Sequence, residues 1–450
     1  MLILRPLFPA PHRFISLSFA TRVALFFAGL LLVNIGAGPI EANESADCSV
    51  LKVLRMFNGQ ELESNVVRFI LIQDSRISAI KVERPTHTQA CRFYDLTAYT
   101  VLPGLIDGHT HILLTDRSYG RDLSSELNRN SAAGRLQRLK LADVYARSLL
   151  HAGFTTLRDL GNSGRYLDLE WRRQHASGIW PRMIASGPGL ATGSAQFRSE
   201  DSLLGRAEYS IVSTPDDVRE AVRTHLRAGV DLIKAYADND PSPGGMGKNL
   251  LGTAVAAAHA GKVKITAHAT TDESAYDAVQ AGVDSIEHGE VLSERTLKAM
   301  ATHQVYLVPT DFSRRICALI SRHNPDPIYL GPAPYCAGRS QRLQAALRVG
   351  VPIAFGSDMY LNLADRGRAS LETLFAYVEE GASPLDAIRA ATSGGAGLLG
   401  RVDLGVIKQG AQADLIAVAG HPFQTIRDIG QLKFVMKAGI SVCGAISICQ

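Results

Sequence analysis

Between residues 101 and 356, short apolar runs recur along the chain, with longer stretches of helical spacing between them. Eight of these runs read as buried parallel strands: Val101–His111, Phe154–Leu160, Met183–Gly187, Asp231–Ala235, Val263–His268, Asp284–His288, Val305–Pro309 and Val351–Gly356. Amphipathic stretches such as Leu136–His151 and Asp216–Ala228 predict the intervening helices. Eight such units are what a (β/α)8 TIM barrel requires, a fold that builds its site where the strands end. The Gly- and Pro-rich run Pro241–Gly247 predicts a loop on that face.

The two ends of the chain carry a different pattern. From Val50 to Thr100 the runs are short and alternating, as in Val66–Ile72 and Ile77–Ile80, and no helical spacing interrupts them. Ala413–Val418 and Phe434–Gly439 again read as strands. The expected architecture is therefore α/β, a (β/α)8 TIM barrel with a small β-sandwich domain assembled from both termini. The expected parts are 43–100 and 399–450 for the sandwich and 101–398 for the barrel.

Residues 1–42 read as a secretory signal. Arg5, Arg13 and Arg22 precede the apolar run Val23–Val33, and small residues lead to a cut after Ala42. The run is short for a membrane span, so an exported protein, periplasmic or secreted and without stable membrane insertion, is expected. Six cysteines suit an oxidising compartment, and sequential pairing of Cys48 with Cys91, Cys317 with Cys336 and Cys443 with Cys449 is the expected pattern, buried free thiols being the alternative. A net charge of +4 over 450 residues, with no basic block, argues against a nucleic-acid partner. With 46% hydrophobic residues the chain can bury a large core.

The chemistry is carried by the strand ends. His109 and His111 are spaced i, i+2, which on a strand points both imidazoles to one face, roughly 7 Å apart along the chain. Two neutral imidazoles converging there suit a divalent metal of the zinc class. Lys234 ends the fourth predicted strand, His268 the fifth and His288 the sixth, and Asp358 follows the eighth. All six therefore fall on one face of the expected barrel. The other histidines mostly sit in predicted helices or loops and read as structural or solvated.

This set resembles the amidohydrolase superfamily, together with Pro103–His111, Gly153–Asp159, Ile286–Gly289, Gly405–Gly410 and Ala413–Ile416. The likeness runs from about Val50 to the end and is closest to the two-metal branch, in particular to bacterial Xaa-Pro and Xaa-Arg dipeptidases, carboxypeptidase-like enzymes and hydrolases of ochratoxin-type amides. It implies that His109, His111 and Asp358 hold one ion and that His268 and His288 hold the second. Lys234, carboxylated by CO2, would bridge the two. Zinc is the expected metal, although this ligand chemistry also suits Mn, Co or Fe. A protonated lysine beside two cations would be repelled, which agrees with its conversion to an anion.

The expected reaction is hydrolysis of a peptide-like amide, a dipeptide or N-acyl amino acid, with release of the C-terminal residue. Hydroxide generated at the two ions attacks the carbonyl, and Asp358 acts as general base and then general acid. Tyr236, Arg158 and Thr270 are the residues expected to touch substrate, with Arg117 and Arg368 as further cationic candidates for its carboxylate. Alternatives are hydrolysis of cyclic amides or lactones, and a non-catalytic exported binding protein on the same barrel. Homo-oligomers are common in the superfamily, so self-association is expected.

Overall fold

Gly104 divides the first long apolar run in two. Thr100–Pro103 pairs antiparallel with Leu415–Val418, whereas Leu105–Thr110 pairs parallel with Phe154–Asp159. A Cβ on residue 104 would lie 2.3 Å from Thr155 Oγ1, so glycine is what lets the chain cross between the two sheets here. The expected strand Val101–His111 is thus two strands in two layers. The computed structural model describes residues 48–114, 130–193, 206, 208–239, 244–323, 339–361, 363 and 365–443. All of these lie in the unit Ala46–Gln450. The predicted signal segment, Arg117, Cys336, Cys449 and part of the Pro241–Gly247 loop lie outside them.

The α/β part has a TIM-barrel-type arrangement. Its parallel strands are β1 (Leu105–Thr110), β2 (Phe154–Asp159), β3 (Arg182–Ala185), β4 (Leu232–Tyr236), β5 (Lys264–Ala269), β6 (Ser285–His288) and β7 (Tyr306–Val308). β1, β2 and β3 are neighbours in one sheet, and β4 to β7 are neighbours in another. After β3 the chain turns at Gly187, whose φ is +65°, and resumes as Gly189–Ala191 beside β4. The eighth predicted strand is an extended segment rather than a regular strand. Pro352 has no N–H to give to a ladder, yet its carbonyl accepts from Leu307, and Ala354 donates back to Leu307. Phe355 O accepts from Gly108 N, and Asp358 N donates to His109 O at 2.7 Å. Asp358 is thereby tied to the first metal-capable strand.

Helix Pro215–Ala228 starts at a capping box between Thr214 and Asp217 and stops at Gly229 in the left-handed region. It buries Val218, Val222 and His225. The main apolar core lies between such helices and the parallel strands, with Leu105, Phe154, Ile233, Ile265, Ile286 and Phe355 fully buried.

The ends of the described chain form two further sheets. One has Arg76–Lys81, Arg68–Gln73, Cys48–Val53 and Arg92–Asp95 as neighbours. The other joins Arg55–Phe57 and Thr100–Pro103 to Leu415–Val418, Leu432–Lys437 and Ile440–Cys443. Leu51 and Ile70 of the first sheet share an apolar cluster with Val101, Leu415 and Phe434 of the second. Cys48 is disulfide-bonded to Cys91, Cys317 and Cys443 are also disulfide-bonded, and no described cysteine is a free thiol. The free-thiol alternative is therefore corrected. No helix among the described residues is long and apolar enough to cross a membrane.

Candidate metal centre

The strands deliver their histidines to one place. The Nε2 atoms of His109 and His111 are 3.3 Å apart, and both face Asp358 Oδ1, at 3.5 and 3.3 Å. The ligand atoms of these three residues all lie within 4.8 Å of one another. The His288 ring centroid is 5.1 Å from that of His109, and its Nδ1 is 3.9 Å from Asp358 Oδ2. His268 continues the arc, 4.5 Å from His288 and 5.0 Å from the Tyr236 ring. Lys234 is fully buried on β4, its Nζ 5.4 Å from the Tyr236 ring centroid.

A neutral imidazole has one donor and one acceptor nitrogen, so whatever accepts a proton from one side decides which side is left to bind a cation. His109 Nδ1 lies 2.7 Å from Glu287 Oε2, His111 Nδ1 2.9 Å from Gly161 O and His288 Nδ1 2.8 Å from Thr310 Oγ1. Each of these rings is left with Nε2. His268 is turned the other way, with Nε2 3.3 Å from Asp238 Oδ1 but without hydrogen-bond alignment. The rings of His109, His111 and His288 thus keep Nε2 available, the pattern expected of metal ligands braced from behind.

Beneath His109 lies a buried charge pair. Glu287 accepts from Arg158 Nη2 at 2.6 Å, from Ser285 Oγ at 3.1 Å and from the Thr266 hydroxyl. Two opposite charges inside apolar strands have to pair, because neither can be solvated there. This corrects the expectation for Arg158. It is 2% exposed and committed to Glu287 and to the Gly108 carbonyl, so it is not placed to receive a substrate carboxylate.

The other expected substrate contacts are also engaged. Tyr236 donates to Asn162 Oδ1 at 3.3 Å, and Thr270 donates to Asp238 through both N and Oγ1, at 2.7 and 3.2 Å. Arg368 is exposed near the start of helix Arg366–Glu379.

Two of these candidate positions hold backbone conformations that side chains rarely adopt. His288 has φ +69° and Asp358 has φ +46°. Such residues cost on the order of 1 kcal/mol or more each and persist only where the surroundings enforce them. Arg342, buried and paired with Asp311, donates to the carbonyls of His288 and Gly289 at 2.8 and 2.9 Å. Arg366 braces the other side. Its fully buried guanidinium donates to the carbonyls of His111 (2.7 Å), Leu361, Met359, Tyr360 and Leu114, and it stacks 3.6 Å from the Tyr145 ring centroid. It joins the loop after β1 to the loop after Asp358.

Electrostatics favour cation binding at His109, His288 and Asp358. Burial holds His109 and His288 well below the usual imidazole range, and the neighbouring cationic groups push in the same direction. Burial also opposes the charge on His111, but Asp358 and Asp159 outweigh it and raise that pKa. Burial would raise Asp358, yet His109, His111 and Lys234 hold it ionised, below its usual value. Burial lowers Lys234 to about 8 against the pull of Glu287 and Asp358.

Sequence reasoning missed Glu287, Asp238, Thr310 and Arg366. Only Glu287 left a readable signal, as an acid within the apolar run Asp284–His288 whose natural counterpart is the arginine in Phe154–Leu160.

The chain is similar to ochratoxinase of Aspergillus niger, 25% identical over 367 residues that span 74% of this chain and 73% of that one. It is 26% identical to the imidazolonepropionase of Cutibacterium acnes over 341 residues, 72% of this chain and 77% of that one. A crystal structure of an Xaa-Pro dipeptidase with bound methionine superposes with a TM-score of 0.75 at 26% identity, covering 88% of this chain and 99% of that one. The sequence profile of the Amidohydrolase family matches residues 100–442, most of the chain, so the protein belongs to that family.

Proposed function

We propose that this protein, a hydrolase of amide bonds by its family, cleaves peptide-like amides and releases the C-terminal residue of a dipeptide or N-acyl amino acid. The observation that carries the reading is the arc His111–His109–His288–His268, with one nitrogen of every ring facing an acceptor, beside the ionised Asp358 and the buried Lys234. Four imidazoles and a carboxylate suit divalent ions of the zinc class. His109, His111 and Asp358 would hold one ion, and His268 and His288 the other. Lys234 would join both as its carbamate, formed when the amine bonds the carbon of CO2 and loses a proton. Its burial favours the neutral amine, the form that reacts. Bound ions supply an acidified water and a polarised carbonyl.

The chain's own groups do the rest. Asp358 takes a proton from the attacking water and passes it to the leaving nitrogen, so that one water and one amide become an acid and an amine. Glu287 holds the His109 ring in place, and Arg366 fixes the loops on which His111 and Asp358 sit. The similarity to an ochratoxinase and an Xaa-Pro dipeptidase supports a substrate with a free C-terminal residue. The bonded cysteines support an oxidising, exported location.

Metal analysis of the purified chain, with hydrolysis of dipeptides, N-acyl amino acids, cyclic amides and lactones, tests this reading. The expected result is about two ions per chain and release of C-terminal residues, both impaired in Lys234→Ala. A single ion with full activity in Lys234→Ala removes the bridging carbamate, and turnover of cyclic substrates alone moves the enzyme to a different substrate class.

A further inference from the structure

Three of the four site histidines are braced through Nδ1, by a carboxylate, a carbonyl and a hydroxyl. His268 instead turns Nε2 toward a carboxylate on a different strand's loop. Asp238 follows β4 by two positions, yet its carboxylate reaches the start of helix Asp272–Ala281. There Oδ2 accepts from Thr270 N at 2.7 Å, from Thr271 N at 3.4 Å and from Ser274 Oγ at 2.5 Å, while Oδ1 accepts from Thr270 Oγ1 at 3.2 Å. A carboxylate with so many donors at a helix N-terminus is fixed in both position and charge. Its Oδ1 is then 3.3 Å from His268 Nε2, a close approach without good hydrogen-bond alignment. Apo sites often hold such contacts loosely until the ligand is bound.

We propose that Asp238 is a positioning residue: it selects the His268 tautomer that carries its proton on Nε2 and so makes Nδ1 the atom His268 gives to an ion. This rests on the two-ion reading above. It also gives Thr270 a role, since Thr270 anchors Asp238 through both its backbone and its hydroxyl. Loss of the carboxylate would free the ring to protonate either nitrogen, and one of the two histidines proposed to hold the second ion would lose its fixed orientation. Partners of this kind change metal affinity by about 10- to 100-fold when removed.

The test uses the full chain, stripped of metal and titrated with Zn2+, in wild type, Asp238→Ala, Asp238→Asn and Thr270→Val. Thermal melting checks that each variant is folded. In Asp238→Ala one of two Zn2+ ions is expected to bind about 10- to 100-fold more weakly, with the other unchanged. Asp238→Asn, which keeps a neutral acceptor, is expected to fall between, and Thr270→Val to lose less than Asp238→Ala. The second readout is 15N NMR of the histidines in the metal-free chain, His268 being assigned by its absence in His268→Ala. The Nε2–H form is expected to dominate in wild type and to give way to a mixture in Asp238→Ala.

Wild-type affinity for both ions in a folded Asp238→Ala, or a mixed tautomer already in wild type, overturns the proposal. If wild type binds fewer than two Zn2+ ions, the two-ion reading fails instead, and the tautomer measurement alone decides the role of Asp238. If Asp238→Ala does not fold, Asp238→Asn and the wild-type spectrum decide it.

Discussion

The two halves of the site are built differently. The half formed by His109, His111 and Asp358 is already closed: its ligand atoms lie within 4.8 Å of one another, and a buried charge pair and a buried arginine support it from below. The half formed by His268 and His288 is related by ring contacts of 4.5 Å, with a hydroxyl behind one ring and a carboxylate behind the other. The first contains its own negative charge. The second contains two imidazoles and no carboxylate of its own, so on the proposed function any anion it shares must come from Asp358, from Lys234 or from the solution. If the site holds two ions as proposed, the difference concentrates rigidity and charge on one of them and leaves the neighbouring position easier to fill and to empty.

With the His109–His111–Asp358 half as the inner and the His268–His288 half as the outer, the largest expected effect is on Asp358, which in the proposed function serves the inner half and the proton transfer together. Asp358→Asn should lower kcat by about 10²- to 10⁴-fold, measured by amide hydrolysis under saturating Zn2+. An activity within a few-fold of wild type would detach Asp358 from the chemistry. Next comes Glu287→Gln, which leaves Arg158 buried without its counter-charge. A loss of about 3–5 kcal/mol in denaturant unfolding is expected, with the inner ion weakened before the outer. Unchanged stability would show that the pair is not what supports His109.

The acid side limits where the two halves can be compared. Burial lowers His225 from 6.5 to about 4, and Tyr166 Oη lies 2.7 Å from its Nδ1. The unfolded chain therefore binds this proton at a higher pH than the folded chain does. Its contribution to stability is full above about pH 6.5, falls as the pH drops toward 4 and then levels, a change of about 3 kcal/mol. Urea unfolding at stepped pH checks it, and His225→Gln should flatten that part of the curve.

Graded chelation tests the asymmetry directly. The outer ion should leave at about tenfold lower chelator concentration than the inner, read by metal analysis after desalting. Simultaneous loss would mean that a shared ligand, and not the separate shells, controls both. The smallest change is Thr310→Val, which removes one hydroxyl from behind His288 and should weaken the outer ion by a few-fold to tenfold, with the inner unaffected.

Much of this was legible in the amino-acid order. The alternation of apolar runs and helical stretches predicts β2 to β7 to within about two residues, because buried parallel strands need continuous apolar side chains. The six liganding candidates were visible because strand ends are where such a fold exposes chemistry. The break at Gly104 was not, since the apolar run continues through it and only the nearby Thr155 side chain reveals why the chain changes sheets. The eighth strand was overread for a related reason: Val351–Gly356 has the right side chains, but Pro352 removes a ladder donor.

The bracing residues were the least visible. Asp238 is 30 residues before His268, and Thr310 is 22 after His288, so neither pairing has a local period to betray it. Arg158 was misjudged because an arginine at a strand end resembles a substrate clamp until the acid opposite it is located.

The join between Asp107 and Ser357 has a consequence for how the protein is made. Ser357 N donates to Asp107 Oδ1 across 250 residues of chain, and Arg366 reaches the His111 carbonyl across 255. At synthesis rates of about 5–20 residues per second, the first two histidines wait on the order of tens of seconds for the carboxylate that completes their set. A nascent chain ending near residue 350 would already contain five of the six proposed ligands and still lack the closed inner half. On the proposed function, ion capture is thus set late in the life of the polypeptide, after almost the whole α/β part has been delivered. Whichever compartment the chain has entered by then would supply the metal it keeps.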